Sequence, residues 1–287
     1  MSLPPGFSIG HWTDPVAMTG CTVILCAGGA TAGVHMGGGA PATIQTDIIG
    51  PASATAILHA VLLTGGSAFG LAAYGGVMTF LEEKGIGVAV RNWRVPHVAG
   101  AVIFDLMVGD GRVRPDAAAG HAACRMATRE PAEGLVGAGT GATVAKLAGG
   151  SRPGGLGIVS LRVGAATVTA VMVVNAGGDI WDGERNEWAA RSEQRPLAPG
   201  AGNTTIGAVF TDAALDRDAT RRVAMTAHDG LARAVRPAHT DRDGDTIFAM
   251  AAGPLVVEPF LIQRAAADAV EQAIVRAARS GGGTMKA

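Results

Sequence analysis

The 287-residue chain contains few cysteines and no recognisable metal-binding pattern. Its three cysteines, Cys21, Cys26 and Cys124, are odd in number and have apolar neighbours, which favours buried, reduced thiols in a cytoplasmic protein. The seven histidines show no His-Glu-x-x-His pattern. We therefore expect an active site without a metal and without a cofactor.

Charged residues and long apolar runs are also scarce. Only 16% of the residues are charged and the formal net charge is -1, so no basic surface is indicated and we expect no nucleic-acid partner. The apolar stretch 52–71 is interrupted by His59 and by Thr-Gly-Gly-Ser at 64–67, and residues 1–6 do not resemble a signal peptide. These absences predict a protein with no membrane partner.

Apolar residues, at 48%, and glycine, at 43 residues, are plentiful. This composition predicts one layered α/β domain, residues 1–287, with helices and loops that approach the backbone closely. Predicted strands are residues 22–26, 98–106, 157–162, 167–174, 205–211 and 246–251. Predicted helices are residues 53–62, 67–84, 115–127, 215–235 and 259–280. Residues 149–155 and 192–202 and the tail 281–284 are expected to be flexible.

An asparagine followed by threonine, Asn203-Thr204, stands at the head of the apolar strand 205–211. A threonine hydroxyl becomes a good nucleophile when a base takes its proton, and the α-amine of an N-terminal threonine is such a base. Cleavage of the Asn203-Thr204 bond would create that terminus. By itself the same pattern is also typical of an ordinary turn.

Asp243 and Asp245 follow some forty residues later and could orient such an amine. Taken alone, this segment is equally typical of a solvated turn or of part of a calcium loop, although the ligand spacing of an EF-hand is missing. His35 and His239 could line the same site or be structural.

Seven segments in this order resemble the self-processing N-terminal-nucleophile hydrolases typified by D-esterase/L-aminopeptidase and nylon-oligomer (6-aminohexanoate-oligomer) endohydrolase. They are residues 29–39, 63–71, 101–106 with 114–116, 137–142, 174–175, 203–206 and 243–245. The resemblance covers nearly the whole chain. It implies an αββα sandwich, autocleavage into pieces 1–203 and 204–287, and assembly into a homo-oligomer, a tetramer or larger.

The resemblance also implies residue roles. Thr204 is the implied nucleophile, Asn175 the donor of an amide to the oxyanion, and Lys146 an active-site lysine. Asp243 and Asp245 match the aspartate pair of the nylon-oligomer branch. Without the resemblance, Asn175 is also typical of a turn after a strand and Lys146 of a solvated helix.

The sequence does not decide between two branches of the family, which act on different substrates. Threonine as nucleophile, with the lysine and the two aspartates, favours the nylon-oligomer branch. The short N-terminus favours the aminopeptidase branch, which uses serine. The expected function is thus hydrolysis of small peptides or linear amide oligomers. The alternatives are an aminopeptidase or D-amidase, an ornithine acetyltransferase-like acyl transferase, and a non-catalytic oligomeric binding module.

Two glycine-rich segments are candidate substrate-binding loops. Residues 136–142 imitate a dinucleotide fingerprint but lack the preceding strand and the acidic residue about 20 positions later, so Gly139 is assigned to an amide-binding cleft. Gly65, Gly66 and Ser67 place a cap serine and glycine backbone at a predicted helix start. They could bind a substrate carboxylate or form only a turn and N-cap.

Overall fold

The computed structural model describes residues 3–148, 150–192 and 202–281. Within these ranges the strands are β1 (Phe7–Asp14), β2 (Thr19–Met36), β3 (Thr43–Ile44), β4 (Ile57–Thr64), β5 (Val88–Val90), β6 (Trp93–Val95), β7 (Val98–Val102), β8 (Thr143–Val144), β9 (Arg152–Pro153), β10 (Gly155–Val163), β11 (Ala166–Asn175), β12 (Asp179–Asp182), β13 (Glu187–Ala190), β14 (Thr204–Ala213), β15 (Val235–Arg236) and β16 (Thr246–Leu255). The α-helices are α1 (Ala73–Glu83), α2 (Ala117–Arg125), α3 (Arg217–Ala234) and α4 (Pro259–Gly281), and short 3-10 helices are Thr46–Ile49, Ser67–Ala72 and Gly137–Gly139.

Most of the long strands join one mixed sheet. Their order is β10, β11, β14, β16, β2, β4, β7, β3, with β1 paired to β2. The long strand β2 pairs with β1 and β4 through its first half and with β16 through its second half. The pairing of β2 with β4 shifts its register between Leu25 and Ala30, and on the other edge of β2 the partner changes from β1 to β16. Strand β2 therefore connects two halves of the sheet.

The two halves of the sheet pack face to face. Side chains from both contribute to one inner core, in which the rings of Phe7 and Phe210 lie with centroids 4.6 Å apart. Strand β14 shows the alternation expected of a strand covered on both faces: Ile206 and Phe210 point into the inner core, and Val209 points toward the helices. The start of β14, where the predicted nucleophile Thr204 lies, therefore belongs to a strand covered on both faces.

Helices cover both outer faces of the paired sheets. Helices α3 and α4 pack over β10, β11, β14 and β16, and helices α1 and α2 pack over β2 and β4. Helix α3 begins after Asp216, whose carboxylate accepts the Ala219 amide at 2.8 Å. Gly230 permits close packing on α4, because a Cβ there would overlap the carbonyl oxygen of Ala267. The predicted αββα sandwich is confirmed.

Several predicted elements differ from the structure. The predicted helix 53–62 is wrong, because residues 57–64 form strand β4, buried between β2 and β7. A continuous apolar run of that length fits a buried strand as well as a helix. The predicted helix 67–84 divides into the 3-10 helix Ser67–Ala72 and α1, and the strand predicted at 98–106 ends at Val102.

The segments expected to be flexible are described in part. In the segment 149–155, Arg152–Pro153 forms β9 and Gly155 begins β10, and flexibility there stays a prediction. Residues 193–201 and 282–284 of the other two segments lie outside the described residues.

Candidate active site

Asn203 and Thr204 lie where strand β14 enters the sheet. Thr204 is paired in register with Asn175, the last residue of β11, and Asn203 forms a parallel bridge with Asp243. Both Asn203 and Thr204 are buried, at 8% exposure each. The sheet register therefore brings together residues that are separated by tens of positions in the sequence.

The Asn203-Thr204 peptide is surrounded by groups suited to attack on its carbonyl. The Thr204 hydroxyl donates to the Asn203 carbonyl oxygen at 2.5 Å, and the Gly244 amide donates to the same oxygen at 3.0 Å. A Cβ at Gly244 would lie 2.8 Å from Thr204 Oγ1, so glycine is what lets this backbone approach so closely. The carbonyl is thus polarised while the hydroxyl lies beside it.

Asn175 is fully buried and all of its side-chain polar atoms have partners. Its Oδ1 accepts from the Thr143 amide at 2.9 Å and from Lys146 Nζ at 3.1 Å. Its Nδ2 donates to the carbonyls of Phe104 and Gly202, both at 3.0 Å. Donors face one end of the amide and acceptors face the other, so its orientation is determined.

Lys146 follows β8 and is neither helical nor freely solvated, so that alternative is wrong. Its Nζ donates to Asn175 O, Asn175 Oδ1 and Gly202 O at 3.0 to 3.1 Å. Three acceptors match the three protons of an ammonium group. Burial lowers the Lys146 pKa to about 8, and Asp243 opposes this shift. At neutral pH the group is therefore a cation close to its titration range.

The two aspartates lie beside the start of β14 and do different things. Asp245 Oδ1 accepts the Thr205 amide at 2.8 Å and so holds the residue that follows the nucleophile. Asp243 Oδ2 accepts from the amide and the hydroxyl of Thr240 at 2.7 and 2.6 Å, which closes a tight turn. The solvated-turn alternative is wrong for both carboxylates, which are buried.

A chain of histidines continues from Asp245. His239 Nδ1 lies 2.9 Å from Asp245 Oδ2, His239 Nε2 lies 3.3 Å from His228 Nδ1, and His228 Nε2 lies 2.9 Å from the His35 carbonyl oxygen. Hydrogen bonding to Asp245 raises the pKa of His239, whereas burial lowers that of His228 to about 4. His239 therefore joins the site through Asp245, and His35 joins it through its backbone.

The predicted substrate-binding glycines lie in tightly packed backbone. The amides of Gly65, Gly66 and Ser67 donate to Gly20 O, Asp105 Oδ1 and Ile103 O. Ser67 is not the N-cap, which is Gly66. These three amides are used within the fold, so a carboxylate site built from them is not supported.

Gly139 has a packing role that the sequence did not show. A Cβ at Gly139 would lie 2.5 Å from the amide nitrogen of Leu156, so the glycine lets its 3-10 helix lie against β10. Contact between Gly139 and a substrate stays a prediction.

Sequence reasoning missed four contributors to the site. They are the Gly244 amide, the Phe104 carbonyl, the Thr143 amide and His228. Three of these are backbone groups, whose positions no residue type reveals. His228 had a signal, because it is a histidine next to Ala227 on the buried face of α3.

Comparisons with known proteins identify the family. The model of peptidase family S58 matches residues 5–285. The chain belongs to peptidase family S58. An uncharacterised aminopeptidase of Mycobacterium tuberculosis (strain ATCC 25618 / H37Rv) is 43% identical over 284 residues, which cover 88% of this chain and 81% of that protein.

Another relative bears a more specific name. The 6-aminohexanoate-oligomer endohydrolase of Kocuria sp. (strain KY2) is 32% identical over 267 residues, covering 86% of this chain and 73% of that protein. The family and these relatives support hydrolysis of amide bonds by this chain.

Solved structures of two aminopeptidases share the fold. A Burkholderia sp. beta-aminopeptidase superposes with a TM-score of 0.71 at 25% identity, covering 96% of this chain and 88% of that one. The L-aminopeptidase D-Ala-esterase/amidase of Ochrobactrum anthropi, described as a variant of the Ntn hydrolase fold, gives 0.74 at 20% identity, covering 99% and 90%. None of the helices in the described part of the chain is both long and apolar enough to cross a membrane.

Proposed function

We propose that this S58 chain is a self-processing amide hydrolase that cuts its own Asn203-Thr204 bond and then uses Thr204 as an N-terminal nucleophile. The observation that carries the proposal is the contact of the Thr204 hydroxyl with the Asn203 carbonyl, which also accepts the Gly244 amide. The nucleophilic hydroxyl and one oxyanion donor thus both contact the carbonyl of the peptide that is to be cut.

The processing reaction balances within these groups. Thr204 Oγ1 bonds to the Asn203 carbonyl carbon and loses its proton, and the negative charge on oxygen is stabilised by the Gly244 amide. The bond from that carbon to the Thr204 nitrogen then breaks and the nitrogen takes up a proton, which leaves an ester. Water then hydrolyses the ester to a carboxylate on Asn203 and the regenerated hydroxyl of Thr204, whose α-amine was freed in the preceding step.

The same groups suit turnover once the upstream peptide has moved. In the uncut chain Asn175 Nδ2 and Lys146 Nζ both donate to the Gly202 carbonyl. Departure of Gly202 would free both donors for a substrate carbonyl, in line with the oxyanion role assigned to Asn175.

A cleft of about 870 Å³ between α4, β10 and residues 182–185 is lined by none of the predicted catalytic residues, so it is not the proposed substrate site.

Small peptides and linear amide oligomers are the proposed substrates. One relative is named an aminopeptidase and another a 6-aminohexanoate-oligomer endohydrolase. Asp245 accepts the Thr205 amide, Asp243 bridges Asn203, and Lys146 feels the charge of Asp243. These contacts support the roles that the resemblance to the nylon-oligomer branch implies. We therefore expect cleavage of 6-aminohexanoate oligomers, and the 43% identity to a mycobacterial aminopeptidase favours short peptides and aminoacyl amides as the second class.

Intact-mass spectrometry tests self-processing. We expect two chains that meet between Asn203 and Thr204, and a single chain for Thr204→Ala. Thr205→Val is the matched control, because Thr205 is the adjacent buried threonine and its hydroxyl has no hydrogen-bond partner among the described residues. A cut elsewhere, or a cut in Thr204→Ala, would eliminate Thr204 as the nucleophile.

Substrate assays test the second half of the proposal. Aminoacyl amides, short peptides and 6-aminohexanoate oligomers are compared with and without a chelator, and ornithine is offered as an acyl acceptor. We expect hydrolysis that a chelator does not change and that declines as the α-amine protonates below its reference pKa of about 7.7 to 8.0. Transfer to ornithine in place of hydrolysis would favour the acyl transferase, and an uncut, inactive chain would favour the binding module.

A further inference from the structure

The hydrogen-bonded chain from Asp245 to the His35 carbonyl determines how many protons its two histidines carry. It has three links: Asp245 to His239, His239 to His228, and His228 to the carbonyl oxygen of His35. A carboxylate and a carbonyl stand at the two ends, and neither is a donor. Each link needs one proton, so the two rings must share three.

Two neutral imidazoles carry only two ring protons, so the third makes one of the rings a cation. The His35 carbonyl requires the proton on His228 Nε2, and a neutral His228 then accepts at Nδ1 from His239 Nε2. His239 is left with protons on both nitrogens. The opposite pKa directions of the two rings agree, since that of His239 is raised and that of His228 lowered.

The backbone and the glycine next to His239 allow its doubly protonated ring to contact both Asp245 and His228. His239 has a left-handed backbone with φ 58°, which lets both its amide and its Nδ1 reach Asp245 Oδ2, at 3.1 and 2.9 Å. A Cβ at Gly37 would lie 2.7 Å from His228 Nδ1 and 2.9 Å from the His239 ring, so only glycine leaves room for the pair.

The charged and titratable groups around the ring come from every element packed on it. Asp245 and Asp243 precede β16, His228 is on α3, and His35 is on β2 with Arg221 of α3 beside it. The two carboxylates and a hydrogen bond with His228 raise the pKa of His239 and so favour its protonated form, and burial opposes this shift.

We propose that His239 is a positioning residue, an imidazolium that holds the Asp245 carboxylate against the Thr205 amide and neutralises its charge next to the scissile peptide. Asp245 Oδ1 reaches that amide at 2.8 Å, one residue after Thr204. Negative charge develops on the Asn203 carbonyl oxygen during attack, and an unpaired carboxylate nearby would oppose it. The role rests on the proposed self-processing.

The test compares self-cleavage of wild type, His239→Asn and His121→Asn across pH by intact-mass spectrometry of freshly translated protein. Asparagine tolerates a positive φ and remains uncharged. His121 is the matched control, because it also pairs with a carboxylate but lies outside the site: its Nε2 on α2 is 3.0 Å from Glu83 at the end of α1. We expect His239→Asn to slow cleavage by roughly tenfold or more, about 1.4 kcal/mol in the barrier. It should also lose the decline that wild type shows as the imidazolium deprotonates at rising pH.

Histidine ¹⁵N NMR provides a readout that does not depend on cleavage. We expect one histidine, absent from the spectrum of His239→Asn, to keep both nitrogens protonated at a pH where exposed histidines are neutral, and His228 to stay neutral. A singly protonated His239 would overturn the inference. So would an unchanged rate and pH profile in His239→Asn while wild type still cleaves. If wild type does not cleave at all, the proposed function fails and the positioning role fails with it.

Discussion

Replacing Asn175 by aspartate changes one end of a buried amide and tests the oxyanion role directly. The acceptor for the Thr143 amide and for Lys146 Nζ is retained. The donor to the carbonyls of Phe104 and Gly202 becomes an oxygen that cannot donate while ionised. The variant therefore removes one function of the side chain and keeps its size.

The expected magnitudes separate catalysis from folding. Losing this oxyanion donor should slow turnover by about 100- to 1000-fold. Self-cleavage should also slow, because in the uncut chain Asn175 Nδ2 holds the Gly202 carbonyl one residue before the scissile peptide. The Phe104 carbonyl loses its donor, at a cost of about 1 to 3 kcal/mol, whereas the Gly202 carbonyl still accepts from Lys146 Nζ. The new carboxylate next to Lys146 offsets part of this cost. Against a stability of about 5 to 15 kcal/mol, most of the protein remains folded.

The assay follows intact mass over time at several pH values, with thermal unfolding measured in parallel. Asn175→Asp should recover part of its rate at acid pH, because a protonated carboxyl can donate again. Asn175→Ala, which loses every contact of the side chain, should show no such recovery. If Asn175→Asp processes and turns over at the wild-type rate, Asn175 has only a structural role.

Three further predictions address the cation, the close backbone approach and assembly. The wild-type processing rate should fall as pH rises through about 8 and Lys146 loses its proton, and Lys146→Met should abolish this fall. An unchanged pH profile in the variant would show that the charge of Lys146 has no role in processing. Gly244→Ala should slow cleavage, since its Cβ would crowd Thr204 Oγ1, whereas Gly28→Ala, with no atom within 4 Å, should not; equal rates would contradict the steric argument. Light scattering after size-exclusion chromatography should show a homo-oligomer, because subunit contacts would bury exposed apolar side chains such as Phe260, which is 64% exposed. A fully active monomer would refute this prediction.

Elements with a strong periodic pattern could be predicted from sequence. Residues 215–235 repeat an apolar position every fourth residue and form helix α3, and residues 205–211 lie within strand β14. The run 57–64 was misassigned because a strand buried on both faces has no alternation of polar and apolar residues. The prediction failed where burial removed the periodic signal.

The candidate site was likewise predictable in part. The resemblance to a known family singled out Thr204, Asn175, Lys146, Asp243 and Asp245, and the structure brings these five into one region. Their roles stay predictions until cleavage is measured. The role of the glycine loops could not be read from sequence, because the amides of Gly65, Gly66 and Ser67 are taken by groups on other elements.

The sequence by itself determined the residue types for the chemistry: a hydroxyl after an asparagine, an amide, a lysine and two carboxylates. Only the tertiary structure decided which backbone groups complete the site. The Gly244 amide reaches Asn203 through the loop before β16, and His228 reaches His239 from α3. These contacts depend on strand register and helix packing between distant segments, and a backbone amide has the same chemistry at every position of the chain, so its identity carries no signal.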